Sequence, residues 1–172
     1  MTNDEALLKF TADKLEELSG RIQDCLGKLT PEQIWTRNSD NENAVGNLVL
    51  HLCGNLRQWI GSGVAGKPDI RDRDSEFAAR GGLAAADLAT RLNAVVGETA
   101  AIIRGVTAAR LAERTVPQGY NVTVLEAIVH VMEHFAYHTG QVVFATKLLT
   151  GEDLGYFRHL SGSGRAAPAR LP

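Results

Sequence analysis

The stretch that decides the fold lies between residues 130 and 141 and reads His-Val-Met-Glu-His-Phe-Ala-Tyr-His-Thr-Gly-Gln. Its histidines, His130, His134 and His138, recur at every fourth position, and residues four apart share one face of an α-helix. Gln141 extends the same face. A buried imidazole without a hydrogen-bond partner costs about 1–3 kcal/mol, so three on one face indicate a shared partner. A divalent metal is the simplest candidate, since neutral imidazole binds zinc, nickel, iron and copper.

The residues around this stretch predict a long helix from about 123 to 150. Thr123 and Glu126 match a capping box, and Gly151 is suited to end the helix. Apolar residues occur on nearly all sides of the segment, which is typical of a helix that is buried on most sides. The histidines are therefore expected in the interior of the domain or at a contact between subunits.

Three further helical patterns precede this one, at about residues 4–27, 43–62 and 83–105. Thr2 and Glu5 match a capping box at the start of the first pattern. Thr30, followed by Pro31, begins a short helical turn between the first two. Because no run of alternating strand residues is convincing, the sequence predicts an all-α fold, a four-helix bundle.

Length and composition favour one soluble domain. The 172 residues are 44% hydrophobic and 22% charged, which is ordinary for a globular protein. We expect this domain to span residues 1–160 and to be followed by a flexible C-terminal tail at 161–172, which is rich in glycine, proline and serine.

The charge and the apolar runs argue against two classes of partner. The net charge of −2 gives no basic surface for nucleic acid, and no apolar run reaches the roughly 18 residues of a membrane span. The acidic N-terminus does not resemble a signal peptide, so we expect a cytoplasmic protein. The two cysteines, Cys25 and Cys53, are expected to be buried free thiols.

A fourth candidate ligand, His51, lies in the middle of the second predicted helix. Asn47 and Asn55 lie four residues to either side of it and are natural partners to fix the orientation of its ring. A catalytic metal site typically has three protein ligands and an open position. His51 with either His130 and His134 or His134 and His138 supplies that set, and the spacing does not decide between the two pairs. Neither pair forms a zinc-protease motif, so no general base of that type is apparent.

The chain resembles the DinB/YfiT-like family of metalloenzymes. That family carries a histidine in its second helix and a His-x-x-x-His-x-Gly-Gln motif in its fourth, which this chain matches with His51 and with residues 134–141. Thr139 stands where many members have arginine. The resemblance spans about residues 5–150. It implies a four-helix bundle whose metal ligands are His51, His134 and His138, holding zinc, nickel or iron.

The resemblance also gives expectations for the neighbouring residues and for activity. His130 is expected to support a ligand or to line the pocket, and Gln141 to cap the metal pocket or to bond a helix neighbour. Family members resemble metal-dependent thiol transferases, isomerases or hydrolases, and many are dimers. We therefore expect a homodimeric thiol S-transferase that joins a low-molecular-weight thiol to an electrophilic small molecule. The alternatives are a metal-dependent hydrolase and a non-catalytic, stress-related metal-binding dimer. The loops at 61–82 and 107–121 are expected to set specificity.

Overall fold

A computed structural model describes residues 1–160 of the chain. Its helices are α1 (Asn3–Leu26), α2 (Pro31–Ile34), α3 (Val45–Leu56), α4 (Arg73–Ala78), α5 (Ala85–Arg104) and α6 (Val124–Thr150). Two short strands, β1 (Arg114–Thr115) and β2 (Val122–Thr123), pair antiparallel just before α6. The tail expected at 161–172 lies outside the described residues. The long helices α1, α3, α5 and α6 form the predicted four-helix bundle.

Local signals in the sequence account for the ends of these helices. The side chain of Thr123 accepts a hydrogen bond from the backbone of Glu126, and the carboxylate of Glu126 accepts one from the backbone of Thr123. The same reciprocal arrangement begins α1 and α2. Gly151 ends α6 with a φ of 70°, a conformation that suits glycine. The predicted caps of α1, α2 and α6 are therefore confirmed.

One hydrophobic core joins the four long helices. Helix α1 packs mainly against α5 and α6, and α3 packs against α4, α5 and α6. The largest fully buried side chains come from all four long helices and include Leu15, Ile22, Leu52, Leu92 and Phe135. Within residues 1–160, no helix combines the length and the apolar composition needed to cross a bilayer.

The middle of the chain differs from the sequence prediction in three places. The second predicted helix continues to residue 62, but Arg57–Ser62 is π-helical. Helix α4 forms inside the segment predicted as a loop, where the side chain of Asp72 accepts a hydrogen bond from the backbone of Ser75 and so caps it. The strand pair is a third feature absent from the prediction.

Helix α6 is less buried than its composition predicted. Phe135, Val142 and Thr146 face the core and are buried, but Phe144 is 65% exposed and Leu148 is 69% exposed. The prediction that this helix is buried on most sides was wrong for a single chain, because α6 packs only along one side of the bundle. Its histidines lie at the border between the buried and the exposed side.

Candidate metal centre

Three imidazoles from two helices meet beside the bundle core. His51 projects from α3 and is buried, while His134 and His138 project from successive turns of α6 and are half-buried. One ligand atom from each ring lies within 4.8 Å of the others. We call these residues the histidine cluster. The structure thus brings together the three residues expected as metal ligands.

In two of these rings, those of His138 and His51, the Nδ1 atom lies beside a polar side chain. Nδ1 of His138 lies 2.6 Å from Oε1 of Gln141, so this nitrogen carries the proton and donates it to the amide oxygen. Nδ1 of His51 lies 3.3 Å from Oε2 of Glu76. In His138 the Nε2 atom is therefore left to accept a proton or bind a metal, and the same holds for the tautomer of His51 that donates from Nδ1 to Glu76.

The partner of His51 is an ion pair that the sequence analysis did not identify. Arg71 donates to both carboxylate oxygens of Glu76, at 2.8 and 2.7 Å, and its Nη2 atom lies 3.0 Å from Nδ1 of His51. The side chains of Arg71 and Glu76 are only 3% and 9% exposed. Burial alone would raise the pKa of Glu76, but hydrogen bonds from Arg71 and His51 outweigh burial and hold this pKa below its ordinary value. Glu76 is therefore an ionised partner for the imidazole of His51.

Neither of the expected partners of His51, Asn47 and Asn55, hydrogen-bonds to its ring within residues 1–160. Asn47 accepts a hydrogen bond from the backbone of Ala44 and donates to the backbone oxygens of Glu76 and Ala79. It therefore fixes the start of α3 and anchors α4 to it. The side-chain oxygen of Asn55 is buried and has no hydrogen-bond partner within residues 1–160. Asn47 acts on His51 only through the position of Glu76.

His130 lies behind the histidine cluster rather than in it. Its ring stacks on Trp59 with 3.9 Å between ring centroids, and on His134 with 5.5 Å between centroids. Burial lowers the pKa of His130, so the neutral ring is favoured in this stack. The structure therefore places His130 as packing support for His134.

The environment of the cluster suits a metal. Burial, reinforced by the positive charge that neighbouring imidazoles would carry, lowers the pKa of His134 to about 3. Burial also lowers the pKa of His138. Both shifts favour the neutral imidazole, which is the form that binds metals.

The spacing of the rings is close to that of a metal site. Nε2 of His51 lies 2.8 Å from Nε2 of His134, which is a hydrogen-bond distance. A tetrahedral ion with bonds of about 2.1 Å separates its nitrogen ligands by about 3.4 Å, so this pair must move apart by roughly half an ångström to bind one ion. The three ligand atoms lie within 4.8 Å of one another, so the more distant ring must move closer. The donor set therefore fits a divalent metal of the kind that prefers nitrogen ligands.

The two cysteines are buried free thiols, as expected. Burial raises the pKa of Cys53 to about 12. The neutral thiol that results is a poor ligand and a poor nucleophile. Cys53 is also not among the residues whose ligand atoms meet in the histidine cluster.

A close approach at Gly54 makes room for the ion pair. A Cβ atom at this position would lie 1.8 Å from Oε1 of Glu76 and 2.8 Å from Nε of Arg71.

We expect Gly54→Ala to destabilise the protein by about 1–3 kcal/mol in urea unfolding, because the ion pair of Arg71 and Glu76 must move. Gly97→Ala is the matched control, since Gly97 lies inside α5 with open space around it. We expect the control to stabilise the protein by about 0.5–1 kcal/mol. Equal effects of the two substitutions would contradict the close approach.

Comparison with known proteins places the chain in a family. The profile of the family described as Protein of unknown function (DUF1572) matches residues 3–162. No curated protein matches the chain in sequence. The structure is similar to that of a conserved protein from Enterococcus faecalis, with a TM-score of 0.72 and 17% identity over 83% of this chain and 96% of that one. It is also similar to a DinB-like protein, YjoA, from Bacillus subtilis, with a TM-score of 0.64 and 15% identity over 86% of this chain and 96% of that one.

At this level of identity, the structural similarity establishes the fold and not the reaction. The family match covers nearly all of the described residues, and the DinB-like neighbour has the same helical architecture. The chain therefore belongs to DUF1572, a DinB-like family, and has the DinB-like helical fold.

Proposed function

We propose that the histidine cluster binds one divalent metal ion, zinc, nickel or iron, and that the protein is a metal-dependent thiol S-transferase for electrophilic small molecules. The observation that carries the proposal is the meeting of three imidazoles whose ligand atoms lie within 4.8 Å of one another. Nδ1 of His138 donates to Gln141, and the tautomer of His51 that donates from Nδ1 to Glu76 leaves Nε2 for the ion. Three histidine ligands leave a coordination position for a substrate, as in catalytic metal sites.

The chain's own residues would orient the ligands and keep them neutral. Glu76, held by Arg71, fixes the ring of His51, and Gln141 fixes that of His138. The ring of His130 stacks on both Trp59 and His134 and so supports the ring of His134. When bound, the metal would supply a lowered pKa for a coordinated nucleophile.

The position of Glu76 favours a thiol over water as the nucleophile. Its carboxylate faces Nδ1 of His51, on the side of the ring away from Nε2, and it is held there by Arg71. It is therefore poorly placed to take a proton from a substrate. A thiol with a pKa of about 8.5 needs less help to ionise than water does. We therefore rank the hydrolase second, and non-catalytic metal binding third.

The proposal includes a cytoplasmic homodimer with a small-molecule substrate. The exposed apolar side chains of Tyr137, Phe144 and Leu148 on the outer side of α6 support a contact with a second copy of the chain. The two free thiols are consistent with a reducing compartment.

A thiol-consumption assay tests this function. We expect protein loaded with zinc, nickel or iron to accelerate the reaction of a low-molecular-weight thiol with monochlorobimane, and chelator-treated protein not to do so. The rate at which the same protein cleaves an activated ester in the absence of thiol tests the hydrolase alternative. Faster ester cleavage without thiol transfer would replace the first proposal by the second. Stoichiometric metal binding with neither activity, across bacillithiol, mycothiol, glutathione and cysteine, would favour the non-catalytic alternative.

A further inference from the structure

A cavity lies beside the ion pair of Arg71 and Glu76. It has a volume of about 500 Å³ and is bounded by α3, α5 and the segment 67–72. Arg71 and Glu76 form part of its wall, but none of the three clustered histidines does. Ligand sites for small molecules usually have volumes of about 300–1,000 Å³, so the cavity is large enough for one.

The acidic residues that line this cavity already have partners. Glu76 is paired with Arg71, and Glu98 is paired with Lys67. Each remaining carboxylate accepts a hydrogen bond from the backbone: Asp69 from Arg71, and Asp72 from Ser75. Each acidic residue of the lining therefore has a partner other than Arg57 and Arg91, the two arginines of the lining that remain.

Two arginines of the lining, Arg57 and Arg91, have no acidic partner among residues 1–160. Both are exposed, and neither lies within 4.0 Å of an acidic oxygen in the part of the chain that the structure describes. Arg57 follows directly after α3 and Arg91 lies on α5, and both line the cavity. Two guanidinium groups in the lining of one cavity offer several hydrogen-bond donors to an anion.

The hydroxyl group of Thr99 adds a further donor. Thr99 is 3% exposed and lines the cavity, and no hydrogen bond connects its hydroxyl to another group within residues 1–160. By contrast, Thr139 and Thr146 on α6 each donate to the carbonyl four residues earlier. The hydroxyl of Thr99 is therefore free to donate a hydrogen bond to a polar ligand atom in the cavity.

The rest of the lining is apolar. Leu50, Pro68 and Ile102 contribute to the walls, and Ile70, which is 88% exposed, contributes an apolar side chain as well. We propose that this cavity binds a small organic carboxylate with a short apolar body. Arg57 and Arg91 bind the carboxylate, Thr99 donates a hydrogen bond, and the apolar walls cover the body. This site is separate from the histidine cluster and does not depend on a bound metal.

A titration with hexanoate and with hexanamide tests the site, because the two probes share a shape and differ in charge. We expect hexanoate to bind the full chain at least about tenfold more tightly than hexanamide, measured by amide chemical-shift changes around residues 50–57 and 98–102. Arg57→Gln and Arg91→Gln should each weaken hexanoate binding by about tenfold, the loss of one charge-assisted contact. Arg158→Gln is the matched control, since Arg158 is an exposed arginine outside the cavity lining.

Three results of this titration would overturn the proposal, and a fourth comes from a variant of the metal centre. The three are equal affinities for the two probes, hexanoate binding that is insensitive to both cavity arginines, and no binding of hexanoate at millimolar concentration. The variant His134→Ala separates this site from the metal centre. Hexanoate binding that survives in this variant supports a separate site, whereas binding lost only in this variant would place the carboxylate at the histidine cluster and overturn the assignment to the cavity.

Discussion

Glu76→Gln is expected to destabilise the protein by about 3 kcal/mol or more in urea unfolding. The substitution keeps the volume of the side chain but leaves the guanidinium of Arg71, 3% exposed, without its negative partner. Removing one member of a buried ion pair typically costs about 3–5 kcal/mol. The variant should also bind zinc about 10–100-fold more weakly, because His51 loses the carboxylate that orients it.

Glu98→Gln is the matched control for this prediction. Glu98 also lines the cavity and pairs with a cation, Lys67, but the two side chains are 45% and 52% exposed. An exposed pair contributes about 0–1 kcal/mol, so the control should stay close to the wild-type stability and bind zinc normally. If the two variants are equally stable, the buried pair does not have the role that the structure assigns to it.

His134→Ala is expected to weaken zinc binding by more than about 100-fold, beyond the loss that follows from removing a residue that only orients a ligand. Nε2 of His134 lies 2.8 Å from Nε2 of His51. The ring of His134 also contacts the ring of His138, with 4.4 Å between their centroids. The competition of each variant with a chromophoric chelator measures the effect, and circular dichroism establishes that the bundle remains folded.

His130→Ala is the control on the same helix face. His130 packs against Trp59 and His134 but lies outside the cluster, so its removal should weaken zinc binding by about 10-fold or less. Losses of equal size in the two variants would mean that the spacing of the rings does not identify the ligands. Unchanged binding in His134→Ala would exclude this residue as a ligand.

The fold was predictable from local signals in the sequence. Capping signals predicted the starts of three helices, at Thr2, Thr30 and Thr123, and Gly151 predicted the end of α6. The helical spacing of apolar residues predicted the other long helices. These signals act between residues three or four positions apart, so they can be read along the chain. The exposed side of α6 could not be predicted, because apolar residues do not reveal whether the core or another subunit covers them.

The ion pair of Arg71 and Glu76 could not be predicted because it depends on tertiary packing. Glu76 is 25 residues from His51 in sequence, and α4 brings it there only because Asn47 holds the backbone of this helix and Gly54 leaves space. A signal for α4 was present, since Asp72 followed by Ser75 resembles a helix start. The need of His51 for a partner was also predictable, but sequence neighbours such as Asn47 and Asn55 were the wrong place to look for it.

The metal content of the protein tests the central claim most directly. Elemental analysis by mass spectrometry on untagged protein, purified without chelators and then offered zinc, nickel or iron, should find about one metal ion per chain. A protein that lacks His51, His134 and His138 should retain none. No uptake by the wild-type chain, or equal uptake by the triple variant, would contradict the account and leave the histidine cluster as a hydrogen-bonded part of the packing.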